Sequence, residues 1–143
     1  QFRRSLSTVR ATCGDRAALR AIHFFQDDRR VELERRALEA GDMDAFLHHV
    51  RQSGRSSFMY LQNVSNYRES RSQPIALLLA VAEDLLAGRG ACRVHGGGFA
   101  GTIQAFVPTD ALESFVAGME TVTGQGACHV LNFRPVGTTV LVP

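Results

Sequence analysis

The sequence predicts an α+β domain, with helices packed on one face of an antiparallel sheet. Three observations predict it. Apolar residues recur at helical spacing through residues 15–86. From residue 91 the spacing becomes strand-like, interrupted by one more helical stretch. The length of 143 residues is one domain's worth, enough for a sizeable core without staples.

Residues 1–13 show weak periodicity. A long helix is expected from Asp15, which follows a glycine and suits an N-cap. Leu19, Ile22, Phe25, Leu33 and Leu38 supply its apolar stripe. "AGD" at 40–42 breaks it, with Gly41 as C-cap and Asp42 as the next N-cap. Met43, Phe46, Leu47 and Val50 then fall on one helix face, and this helix is expected to stop at Ser53-Gly54. Residues 54–72 are polar and serine-rich and read as an irregular connection. Ser72 or Gln73 opens the next helix, with Pro74 tolerated in its first turn. Ile75, Leu78, Leu79, Ala82, Leu85 and Leu86 give it a wide apolar face, and Gly88 and Gly90 end it.

Strands are expected at 91–95 and 102–107, joined by a glycine loop. Pro108-Thr109 then starts a helix with Leu112, Phe115, Val116 and Met119 on one face. Residues 127–133 are a third expected strand and 138–142 a fourth. No internal repeat or low-complexity tract is visible.

Composition narrows the function classes. The hydrophobic fraction of 45% and charged fraction of 21% are ordinary for a globular protein. No apolar run approaches the roughly 20 residues of a membrane helix. A net charge of +2 implies neither a nucleic-acid nor a membrane partner. The arginines of "DDRRVELERR" are interleaved with acids, as on a solvated helix face. Cys13, Cys92 and Cys128 are odd in number and far apart, which argues against a disulfide framework and fits a reducing, cytoplasmic setting. Cys92 and Cys128 are expected on strands as small buried hydrophobes. His23, His48 and His49 do not form a metal constellation, so no metal site is expected.

The stretch "CRVHGGGFAGTIQAFV" carries the chemistry. Gly96, Gly97, Gly98 and Gly101 place four glycines in six residues. They admit three readings: a tight packing turn, a nest of backbone N–H groups facing an anion, or a dinucleotide fingerprint. The last fails because a strand, not a long helix, follows the loop. The P-loop pattern fails because no Lys-Ser/Thr follows the glycines.

"ACRVHGGGFAGTIQAFVP" resembles the third signature motif of the GHMP small-molecule kinases, and within them of the galactokinases. Gly90, Ala91, Arg93, Gly96, Gly97, Gly98, Phe99 and Gly101 fall in step with it. The likeness extends upstream, where Arg20, His23, Asp28, Arg30, Val31, Ala37, Leu38, Gly41, Asp42, Ser53 and Ser56 hold the galactokinase order. The chain departs from the pattern at Gly54, His95, Ala100 and Thr102, and over residues 58–74.

The resemblance implies a ferredoxin-like C-terminal lobe, with a four-stranded antiparallel sheet, spanning residues 1–143 of a longer two-lobed kinase. It implies transfer of the γ-phosphoryl of ATP, with Mg²⁺, to the anomeric hydroxyl of galactose. The missing N-terminal lobe would carry the sugar signature, the ATP loop and the catalytic aspartate. No catalytic residue and no Mg²⁺ ligand is therefore expected here, and the piece alone is expected to be inactive. Gly96, Gly97, Gly98, Phe99 and Gly101 are the expected cleft residues, with Phe99 as the loop's anchor. His95, Ser53 and Ser56 are further cleft candidates. A β-branched residue at Gly97 or Gly98 is expected to do most harm if φ there is positive.

Two other readings stay open beside the galactokinase one and its close variant, another GHMP sugar kinase. One is a non-catalytic galactose- and ATP-binding sensor. The other is a free-standing α+β interaction or small-molecule-binding module with a tight glycine turn, which predicts no cleft and no exposed apolar face where another lobe should dock. The kinase-lobe reading predicts such a face near residues 54–72 and the glycine loop.

Overall fold

The computed structural model describes residues 2–98, 101–133 and 136–137. After a short 3₁₀ turn at Phe2–Ser5, α1 spans Leu6–Glu39. Gly14 interrupts it with φ of 81° and ψ of 168°, so the helix restarts at Asp15. Asp15 accepts a hydrogen bond from Arg10 across this break, at 2.5 Å. Gly41, with φ of 68°, turns the chain after Ala40. The Asp42 carboxylate then accepts from the Ala45 N–H at 2.9 Å and caps α2, Met43–Ser56. The two helices pack as a hairpin.

α2 does not stop at Ser53-Gly54. It runs on to Ser56 and continues as a π-helix, Ser57–Leu61, closed by Gln62 in the left-handed region. Gly54 lies inside the helix because β1 presses on it. A Cβ at 54 would stand 3.0 Å from Arg93 Cβ and 3.3 Å from the Cys92 carbonyl oxygen. This glycine is a packing residue, not a terminator. α3, Pro74–Leu86, begins with proline in its first turn, as its sequence predicts, and ends at Ala87 with φ of 47°.

β1 (Ala91–Val94) and β2 (Ile103–Phe106) form an antiparallel pair, with Ala91 opposite Phe106 and Val94 opposite Ile103. Helices flank this ribbon on both faces. Ala91 packs with Ala37, Phe46 and Val50 of the α1–α2 hairpin. Cys92 packs on the other side with Ala82 and Leu86 of α3 and with Phe115 and Met119 of α4, Leu112–Thr123. Val94 joins Val64 and Ile75. Alternation along β1 thus serves two apolar layers. The Phe46 and Phe106 rings meet edge to face at 5.1 Å.

The four-stranded ferredoxin-like sheet is overturned: the fold is a helix-rich small domain around a two-stranded ribbon. Residues 127–133 form no strand. Val130, Leu131 and Phe133 are exposed, the last two at 85%. Only Cys128 of that stretch reaches the core, and Phe133 meets β2 by stacking on Phe106 at 6.4 Å, not by a backbone ladder. The helices covering both faces also replace the one-sided packing expected. Residues 138–142, the fourth expected strand, lie outside the described residues.

Candidate functional site

A polar seam runs between α1, α2 and β1. On α1, His23, Asp27 and Arg30 share one face through their four- and three-residue spacings. On α2, Ser53 and Ser56 face them. His23 Nδ1 and Ser56 Oγ share a hydrogen bond of 3.0 Å. Asp27 Oδ1 accepts from Ser53 Oγ at 2.5 Å and from Arg30 Nη1 at 3.1 Å. Ser53 Oγ in turn accepts from Arg93 Nη1 at 2.6 Å. Arg93 Nε donates to the Val94 carbonyl at 3.2 Å. Ser53 and Ser56 are 1% and 2% exposed, so neither lines an open cleft, and Ser56, at the start of the π-helix, makes no side-chain cap hydrogen bond.

Burial shapes the charges here. His23 is buried, and desolvation holds its pKa below the ordinary histidine value although the Asp27 carboxylate pulls the other way. Desolvation likewise raises Glu34 on the same helix, against the Arg93 charge. Cys92, in the core, is pushed up to about 11 by burial and then by Glu83, so it stays a thiol. His23, Asp27, Arg30, Ser53, Ser56 and Arg93 each bond to another group of the protein here. The seam therefore braces β1 and fixes the strand that delivers the glycine turn.

The turn follows β1 directly. His95 is exposed, and its N–H bonds the Thr102 carbonyl at 3.1 Å. Gly96 and Gly98 have φ of 59° and 71°, and Gly101 has 88°. Gly97 is not in the left-handed region, so the condition set for damage by a β-branched residue holds at Gly98 and not at Gly97. Among the described residues, a Cβ at Gly96, Gly97 or Gly101 would meet nothing within 4 Å. At Gly98 it would stand 2.2 Å from the Asn63 carbonyl oxygen and 2.9 Å from Asn63 Cβ. Gly98 is thus seated against the chain leaving the π-helix, while no described residue crowds Gly96 or Gly97. Neither the Gly96 nor the Gly97 N–H donates to a described acceptor. Phe99, the expected anchor, lies outside the described residues.

Beneath the turn, Asn63 and Ser57 are each 1% exposed. The Asn63 carboxamide and the Ser57 hydroxyl have no hydrogen-bond partner among the described residues. Such groups are rare in native interiors. A π-helix at the same place marks a functional position more often than an ordinary helix does. Sequence reasoning missed His23, Asp27 and Arg93 as a network, and missed Asn63 and Ser57. The His23–Asp27–Arg30 spacing was a usable signal for the first group; nothing local marks the second.

Among the described residues, no group of three or more His, Cys, Asp or Glu is arranged to hold a metal ion. None of their helices is long and apolar enough to cross a membrane. Cys13, Cys92 and Cys128 are free thiols. Comparison of the chain with protein-family models, with curated proteins and with solved structures finds no match.

Proposed function

We propose that this chain serves as the C-terminal lobe of an ATP-dependent sugar kinase acting on galactose, with the glycine turn at the cleft between lobes. The observation that carries the reading is the turn itself. It is anchored at Gly98 on Asn63, and no described residue crowds Gly96 or Gly97. Open backbone N–H groups on a fixed turn suit the oxygens of a phosphoryl group. Phosphoryl transfer is largely a matter of positioning and electrostatic stabilisation, so a braced turn is a useful contribution.

The motif resemblance supplies the activity and the substrate; the geometry is compatible with that role. Phe58 and Met59, on the π-helix leading to Asn63, are 50% and 59% exposed. Such an apolar surface in the 54–72 region favours a lobe that docks against another over a free-standing module. The other lobe would supply the catalytic carboxylate, the ATP loop and the Mg²⁺ ligands. Free thiols accord with a cytoplasmic setting.

The test is galactose-dependent ADP release by the native-length protein, beside the same assay on residues 1–143. The reading expects turnover by the native-length protein only. Binding of both ATP and galactose without turnover would replace it with the sensor.

A further inference from the structure

An open depression of about 430 Å³ lies between α1, the loop at 64–68 and the start of α3. That volume falls within the range of small-molecule sites. Its floor is apolar, with Val64 and Ile75 buried and Pro74 beside them. Its charged groups are Arg16 and Arg68, and among the described residues no carboxylate lines it. Arg16 lies over the Tyr67 ring, 5.5 Å from its centroid. Neither guanidinium has a carboxylate partner among the described residues.

The wall is organised before any ligand arrives. Gln73 does not cap α3. Its Nε2 donates to the Asn66 and Glu69 carbonyls at 2.8 and 3.0 Å, and its Oε1 accepts from the Asn66 N–H at 2.9 Å. Asn66 Oδ1 accepts from the Arg68 N–H at 3.1 Å. These bonds hold the loop against the helix start. They also leave the Ile75 and Ala76 N–H groups, in the first turn of the 13-residue α3, without a described acceptor.

We infer that this depression is a binding site for a small organic phosphate, its phosphoryl group held by Arg16, Arg68 and the open first turn of α3, its body resting on Val64, Pro74 and Ile75. Two exposed guanidinium groups and a helix N-terminus border the same depression, and each favours negative charge. Two cations suit a dianion better than a single carboxylate. The apolar floor has no use for inorganic phosphate, so it selects an ester with a ring or short apolar body. The site is independent of the kinase reading.

The test is calorimetric titration of the native-length protein with phenyl phosphate, inorganic phosphate and phenol. Phenyl phosphate should bind one site, at least fivefold tighter than inorganic phosphate, and phenol should not bind. Arg16→Gln and Arg68→Gln should each weaken phenyl phosphate at least tenfold while the circular-dichroism melt stays unchanged. Saturating ATP should leave the affinity unchanged. No binding, equal binding by the double variant, equal affinity for inorganic phosphate, or displacement by ATP would each overturn the assignment.

Discussion

Gly98 is seated on Asn63 so closely that a Cβ at 98 would stand 2.2 Å from the Asn63 carbonyl oxygen. Its φ of 71° lies where an L side chain is strained even in open space. The glycine turn is therefore pinned at one residue and free at its neighbours.

Gly98→Ala should destabilise the protein by about 3 kcal/mol, combining left-handed strain with overlap that backbone cannot relieve. Gly97→Ala, outside the left-handed region and crowded by no described residue, should stay within about 0.5 kcal/mol of the parent. Urea midpoints of the two variants check this. Equal midpoints would remove the pinning of the turn from the account.

His23 makes stability depend on pH. Its pKa in the folded state lies below the ordinary value of 6.5, chiefly through desolvation. Below that value the unfolded chain takes up the proton more readily than the folded one, so stability is full above pH 6.5 and declines as pH falls. The melting temperature should drop from pH 7.5 to 5.5, and His23→Gln should flatten the slope. Glu34 is shifted the other way, its raised pKa favouring the folded state as pH falls toward 4.5, so the slope difference between parent and variant is the readout. Parallel slopes would contradict the assignment to His23.

Gly54 sits in a helix, where alanine ordinarily gains about 1 kcal/mol over glycine. Here the added Cβ would meet Arg93 Cβ at 3.0 Å and the Cys92 carbonyl at 3.3 Å, atoms fixed by the strand backbone. Gly54→Ala should lower the melting temperature. A rise would show that β1 can withdraw from α2.

Much of the helical part was legible because its signals are local. Asp42 as a cap, Gly41 as a turn and Pro74 in a first turn each act within a few residues. Gly54 was misread because its reason is a strand some forty residues away. Residues 127–133 were misread because their apolar content suits a strand, while helices on both faces and exposed Leu131 and Phe133 leave them outside the ladder.

The candidate site divides the same way. The glycines announced a special turn, and the positive φ at Gly96, Gly98 and Gly101 is what such a run is for. Which glycine is pinned depends on Asn63, 35 residues earlier by numbering, and no spacing rule reaches it. Ser53 and Ser56 could be picked out from the family pattern, but their role in bracing β1 through Asp27 and Arg93 needed the fold.

The central claim is that the native-length protein transfers phosphoryl to galactose. The most direct measurement is ³¹P NMR of that protein incubated with ATP, Mg²⁺ and galactose. The account predicts loss of the γ-phosphoryl signal and growth of one phosphomonoester resonance coupled to the anomeric proton of the sugar. Release of inorganic phosphate alone, or an unchanged ATP spectrum, would contradict it.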